Sequence, residues 1–289
     1  MEPRLQRRVQ RYGWDKAAEF YEGYWQEQLA PAQDTLLAMA RIRPGDRVLD
    51  VACGTGLVTF RAAEAAGGNG AVLATDISDS MVGIVRRAAR DRNVPHVTAR
   101  RMDAEAVEAD DASFDVVLCA LGLMYVPDPD AALKEMHRVL KPGGRAVAAV
   151  WGKRDRCGWA DIFPIVDARV KSEVCPLFFQ QGNGETLETT FTRAGFTGVR
   201  SERLNTLLHY ASDDDALGAA FLGGPVALAY SRFDAPTRDA AHAEYLESIR
   251  PFHKDGRYAI PGEFVVTSGA RQDTGHETTD HPNLEDAYP

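Results

Sequence analysis

Cysteine is scarce in this 289-residue sequence: Cys53, Cys119, Cys157 and Cys175 stand far apart with no CxxC pair. That spacing suggests neither a zinc knuckle nor a disulfide framework, and no bound metal is expected. Long apolar runs are also missing. No window approaches the ~18 residues that a membrane span needs, and the N-terminus opens on charges without an apolar signal core, so a cytoplasmic location is the expectation. Positive charge is the third shortage. With 33 Lys+Arg against 42 Asp+Glu the net charge is −9, which repels a phosphate backbone and argues against nucleic acid as a partner. The one dense basic stretch, Arg4, Arg7, Arg8 and Arg11, has the spacing of a single helix face and reads as the solvated side of a terminal helix. No internal repeat is visible. The length exceeds that of a typical domain but fits one large α/β domain with insertions, as a monomer or homodimer.

From residue 46 to 151, short apolar runs alternate with amphipathic stretches, the pattern of βα units around a doubly wound parallel sheet. Strands are predicted at 46–51, 71–76, 97–101, 114–120 and 144–151. A helix is expected from about Thr55, and another from the N-caps Ser78 and Asp79 towards Arg90. Leu133, Met136, Val139 and Leu140 fall at helical spacing, with Lys141-Pro142-Gly143-Gly144 as the stop. After Trp151 the alternation breaks. Residues 152–184 read as a loop-rich insertion and 213–250 as a helical one. Between them lie a helix at 185–194 and a strand at 199–210, and after them a final strand at 258–267 whose Pro261 marks its edge or start. The tail 271–289 is polar, aperiodic and expected to be disordered. These boundaries divide the chain into an N-terminal helical segment (1–39), a main domain (40–270) and the tail.

The most informative segment is Val48-Leu49-Asp50-Val51-Ala52-Cys53-Gly54-Thr55-Gly56, a strand entering a turn with two glycines one residue apart. Glycines there let main-chain N–H groups approach a ligand, and Asp76, 22 positions after Gly54, is placed to reach a ribose diol. A dinucleotide fingerprint would put a third small residue where this chain has Thr59. Asp50, just upstream of the turn, would repel a pyrophosphate and attract an ammonium group. A ligand with an amino-acid end, a ribose and a base accounts for Asp50, the glycines and Asp76 together, and S-adenosylmethionine is such a ligand.

These blocks, with Ser80-Met81, Asp103-Ala104, Phe114-Asp115-Val116-Val117 and Arg138-Val139-Leu140-Lys141-Pro142-Gly143-Gly144, resemble those of class I S-adenosylmethionine-dependent methyltransferases. The likeness is to the subfamily similar to the ubiquinone/menaquinone-biosynthesis C-methyltransferases and covers roughly residues 12–151. It implies a Rossmann-like seven-stranded sheet with the last strand antiparallel, S-adenosylmethionine as cofactor, and methyl transfer to a small-molecule acceptor. It also implies roles for single residues. The turn residues Ala52, Cys53, Gly54 and Gly56 would cradle the cofactor, and Asp76 with its neighbour Ile77 would hold the ribose. Asp103 and Ala104 would receive the adenine amino group, and Met81 would pack on the ring. Cys119, Ala120 and Leu121 would line the transfer centre.

By analogy the N-terminal segment closes over the cofactor. Tyr21 and Trp25, four residues apart, share a helix face from which a ring could meet the sulfonium and a phenol the carboxylate. Methyl transfer can proceed by alignment alone, so a general base is optional; His209 and Tyr125, then Tyr210 and His253, are the candidates. The aromatic insertions, with Trp159, Phe163, Phe178, Phe179, Phe221, Leu222 and Tyr230, suggest a hydrophobic or aromatic acceptor. Two other readings stand beside methyl transfer. One is a nicotinamide-dependent oxidoreductase, the other an enzyme that binds S-adenosylmethionine for a non-methylating reaction.

Overall fold

The computed structural model describes residues 2–170, 175 and 177–273. A single 38-residue helix, α1 (Pro3–Ala40), precedes the alternating region. Glu2 caps it by accepting from the N–H groups of Arg4 and Leu5, and Arg41 ends it in the left-handed region at φ 47°. Then follow β1 (Arg47–Val51), α2 (Thr59–Ala66), β2 (Ala71–Asp76), α3 (Asp79–Asp91), β3 (Val97–Arg101), β4 (Phe114–Ala120), α4 (Pro129–Val139) and β5 (Leu140–Trp151). The C-terminal part contributes α5 (Ile162–Asp167), α6 (Thr186–Arg193), β6 (Thr197–Tyr210), α7 (Asp213–Leu217), α8 (Ala227–Tyr230), α9 (Ala235–Ile249), β7 (His253–Lys254) and β8 (Arg257–Ala270).

The sheet order is β3-β2-β1-β4-β5-β8-β6. The first five strands run parallel, β8 is antiparallel to β5, and β6 is antiparallel to β8. The two-residue β7 pairs with the start of β8 and makes eight strands among the described residues, one more than the sequence implied. Val48, Leu49, Val116, Val117, Leu118 and Val147 are fully buried. Helices on both faces explain why these strands read as continuous apolar runs. Between β1 and β4 the strand order reverses, and a crevice forms outside the C-terminal ends of strands at such a switch point.

Several details differ from the sequence reading. The first helix after β1 begins at Thr59 instead of Thr55, because Ala52, Gly54 and Gly56 all sit at positive φ and hold the chain in a turn. Lys141-Pro142-Gly143-Gly144 ends α4 but belongs to β5, whose pairing with β4 shifts register between Phe114 and Val116. Pro261 lies within β8, opposite Leu207 of β6; the β5 partner stops at Trp151, opposite Phe264, so the proline interrupts no ladder on that side. The polar tail starts later than 271. Arg271 continues the strand, donating its N–H to Gly144 O at 2.8 Å and its guanidinium to Arg138 O at 2.8 Å and Leu140 O at 2.6 Å. Residues 274–289, where disorder was expected, lie outside the described residues.

Candidate functional site

The site forms where β1, β2, β3 and β4 end. Ala52 at φ 54° and Leu121 at φ 62° are non-glycine residues in left-handed conformations, one after β1 and one after β4. Such conformations persist where the surroundings over-determine them, and they cluster at functional sites. The two turns touch: a Cβ built on Gly122 would lie 2.3 Å from Ala52 Cβ, so only glycine lets the strand ends approach this closely. Gly54, at φ 56°, donates its N–H to Asp76 Oδ2 at 2.9 Å, and Ser78 N–H donates to Asp76 Oδ1 at 2.9 Å. One carboxylate therefore pins both loops. Gly56 serves packing instead, because a side chain there would press on Phe60 and Val85.

Over these loops lies a cavity. Ala52 and Gly54 form one wall, and Asp76, Ile77 and Met81 come from the end of β2 and the start of α3. Met102, Asp103 and Ala104 follow β3, and Ala120 and Leu121 end β4. Arg7, Gln10, Trp14 and Tyr21 of α1 close the opposite side, so the glycine turn, the Asp76–Met81 block and the Asp103-Ala104 block meet in one space. The first turns of α1 are tied to its rim. The Arg7 guanidinium lies 2.8 Å from Asp103 Oδ2 and 2.6 Å from Glu105 Oε2. Arg11 pairs with Asp79, and Asp15 accepts from Ser78 Oγ at 2.6 Å and Ser80 N–H at 3.0 Å.

The acids lie at two depths: Asp76 lines the cavity, and Asp50 lies behind the lining. Asp50 is fully buried; its Oδ2 accepts from Thr59 Oγ1 at 2.6 Å, while Oδ1 has no partner. Burial raises its carboxyl to about 7, with the Thr59 bond opposing and the Asp76 charge adding. Burial likewise raises Asp76 to about 6 against the N–H groups of Ser78 and Gly54. Two neighbouring carboxyls held near neutrality, one with an orphaned oxygen, suit a ligand that brings a cation and hydroxyl donors. Thr59, where a dinucleotide fold needs a third small residue, is itself buried and spent on Asp50. An S-adenosylmethionine-like group thus fits the acids, the glycine turn and the apolar wall of Ile77, Met81 and Met102.

Of the residues singled out in the sequence, Tyr21, Ala52, Gly54, Asp76, Ile77, Met81, Asp103, Ala104, Ala120 and Leu121 line this cavity. Asp50, Cys53, Gly56 and Cys119 do not line it; Asp50, Cys53 and Cys119 are buried, and burial pushes the Cys119 thiol up to about 12. Trp25 is not at the cavity either. It is one helical turn further along α1 and meets Trp151 edge-on at 6.2 Å and Trp159 at 6.4 Å, in an adjoining chamber. Tyr125 lines both spaces, and burial keeps its phenol well above its ordinary range, which leaves it a proton donor. His209 is a correction. It is exposed on β6, away from the cavity, with its backbone N–H and carbonyl bound by Gln28 at 2.8 and 2.7 Å. His253 is exposed on β7 and Tyr210 is buried. Among the aromatic insertion residues, Trp159 and Phe178 line the adjoining chamber, whereas Phe221 and Tyr230 pack against His242 of α9.

The sequence reading missed Arg7, Gln10 and Met102 as lining residues. Arg7 and Arg11 are ion-paired instead of forming a simple solvated face. Their signal was the unbroken helical spacing from residue 3, which places Arg7 and Trp14 two turns apart on one face. Among the described residues no group of three His, Cys, Asp or Glu could hold a metal ion, and no helix is long and apolar enough to cross a membrane.

Strand order and the turn after β1 are those of a Rossmann-like α/β fold, and residues 48–144 match the family model of a methyltransferase domain. That part of the chain is similar to the ubiquinone/menaquinone biosynthesis C-methyltransferase UbiE of Shewanella oneidensis, at 44% identity over 112 residues, 38% of this chain and 45% of the relative. The chain spans about half the length of the curated relatives it matches. In fold it is similar to phosphoethanolamine N-methyltransferase 2 of Haemonchus contortus in a complex with S-adenosylhomocysteine, with a TM-score of 0.59, 17% identity, and 89% of this chain and 57% of that one covered. It is also similar in fold to the [4+2]-cyclase SpnF, with a TM-score of 0.52, 22% identity, and 84% and 80% covered.

Proposed function

We propose that this chain binds S-adenosylmethionine and transfers its methyl group to a small, uncharged acceptor. The observation that carries the reading is the single cavity that gathers Gly54, Asp76, Met81, Asp103 and Ala104 from separate blocks, beside an Asp50 whose Oδ1 is buried and unpartnered. In this reading Asp50 receives the ammonium end and Asp76 the ribose diol. Asp103, steadied by Arg7, and Ala104 meet the adenine, with Met81 against its face. Ala120, Leu121 and Tyr21 border the transfer centre, and Trp25 belongs to the acceptor side. The sulfonium supplies an activated methyl group, so the chain's own task is to align the acceptor and exclude water. Tyr125, held protonated, can donate a hydrogen bond but is no base, which favours an acceptor that needs none.

Helix α1 acts as the cover of the site, residues 40–270 as the catalytic domain, and the segments 152–184 and 213–250 as its cap. The enzyme works in the cytoplasm as a monomer or homodimer, without nucleic acid. Isothermal titration with S-adenosylmethionine, S-adenosylhomocysteine and NADH tests the cofactor. Micromolar binding of the first two supports the reading, and binding of NADH alone overturns it. Formation of S-adenosylhomocysteine during turnover separates methyl transfer from a non-methylating use of the same site.

A further inference from the structure

Among the described residues four large apolar side chains are exposed, Leu5, Tyr12, Phe20 and Leu207, and three of these four stand on α1. At 3.6 residues per turn, Leu5, Tyr12 and Phe20 fall within an arc of about 80° on one face of that helix, over about 22 Å of its length. Lys16 lies inside the same arc, and Arg8 and Arg4 follow along one flank of it. All three cations are exposed, and among the described residues none of them reaches a carboxylate. Arg7 and Arg11, by contrast, are spent on Asp103, Glu105 and Asp79 at the rim of the cavity. Residues 3–20 hold five cations and two carboxylates in a chain whose net charge is −9, so unpaired positive charge and exposed apolar groups are gathered in one place.

We propose that the outer face of α1 docks on an anionic lipid bilayer, with Arg4, Arg8 and Lys16 at the level of the phosphates and Leu5, Tyr12 and Phe20 entering the headgroup layer. The proposal is independent of the chemistry assigned to the cavity. Basic side chains draw a helix to an anionic leaflet, and aromatic and aliphatic groups on the same face hold it in the interface. A nucleic acid or an acidic protein would gain from the cations but leave the apolar trio in water, and either would meet the excess acid of the remaining chain. Glu19, exposed beside the same arc, opposes the attraction without cancelling three cations. The helix needs no ordering on contact, because Arg7, Arg11 and Asp15 already fix it to the strand ends, so little conformational entropy is lost on docking. The docking is peripheral, since no helix among the described residues is long and apolar enough to cross a membrane.

The test mixes the full chain with vesicles of phosphatidylcholine alone, or of phosphatidylcholine and phosphatidylglycerol in equal parts, and reads the fraction that sediments with the lipid. The wild type is expected to bind the anionic vesicles, to leave them at high salt, and to stay in solution with phosphatidylcholine alone. Equal binding to both, or binding to neither, overturns the proposal. Arg4→Ala, Arg8→Ala and Lys16→Ala combined should weaken binding about a hundredfold, from about fivefold for each basic residue at the surface. Tyr12→Ser with Phe20→Ser should weaken it roughly tenfold. Unchanged binding of either variant puts the contact elsewhere and overturns the proposal. All five side chains are exposed and outside the cavity lining, so both variants are expected to fold. Acetylation of Lys16 in the wild type needs no substitution: a slower reaction on anionic vesicles supports the contact, and an unchanged rate refutes it. Retention on double-stranded DNA but not on vesicles would assign this face to a nucleic acid and overturn the lipid.

Discussion

Asp50→Asn tests the site most directly, because stability and binding should move in opposite directions. In the folded protein burial lifts this carboxyl from 3.8 to about 7. Between those values the unfolded chain has released the proton while the native state keeps it, so stability falls as pH rises from about 4 to about 7 and is flat above. Each unit corresponds to ~1.4 kcal/mol, so the three-unit shift makes ionised Asp50 an order-of-magnitude burden of up to about 4 kcal/mol at neutral pH. Asparagine keeps an acceptor for Thr59 but leaves a buried amide N–H group unpaired, which returns roughly 1–3 kcal/mol of that gain. Denaturation across pH 4–8 should show the variant gaining on the wild type by about 1.4 kcal/mol per unit up to pH 7, and no further. S-adenosylhomocysteine should meanwhile bind about ten- to a hundredfold more weakly, since a charge-assisted bond typically contributes about 1.5–3 kcal/mol. A pH-independent stability difference, or unchanged affinity, would refute the assignment of a buried, cation-seeking carboxylate.

The same carboxyl predicts that wild-type affinity for S-adenosylhomocysteine declines as pH falls below about 7, because Asp50 must lose its proton before it can accept an ammonium; a flat titration series from pH 5 to 8 would contradict this. Asp76→Ala should weaken binding by more than the ~1.5–3 kcal/mol of a charged acceptor, since it also orphans the N–H groups of Gly54 and Ser78; unchanged calorimetric affinity in a folded variant would remove Asp76 from the site. Gly122→Ala should abolish cofactor binding, because the new methyl would lie 2.3 Å from Ala52 Cβ, and a variant that binds normally would show the strand ends free to part. Arg7→Ala should cost about 1 kcal/mol or less in affinity and reduce its salt sensitivity, as Arg7 and its partner Asp103 are each about one-third exposed. His209→Ala should leave turnover unchanged, and a large loss would return His209 to consideration as a base.

The five parallel strands were legible because helices cover both faces of the sheet. That burial forces runs such as Val116–Ala120 to be apolar throughout, a signal that needs no tertiary information. The glycine turn and Asp76 were legible because main-chain approach to a ligand restricts residue type at fixed spacing. Boundaries set by non-local pairing were not. β5 starts at Leu140 because β4 offers it a partner, and the chain stays ordered to Arg271 because that guanidinium caps carbonyls at the end of α4 and the start of β5.

Sequence by itself therefore determined the sheet class, the turn after β1 and the chemical kind of ligand that Asp50 and Asp76 would accept. Tertiary structure decided which side chains share a space, since that depends on the path of α1 across the strand ends. It brought Arg7 to Asp103, moved Trp25 from the cofactor cavity into an aromatic chamber with Trp159, and left His209 outside on β6. Spacing along a helix fixes which residues lie on one face. Only the packing of that helix against residues distant in the chain fixes what the face meets.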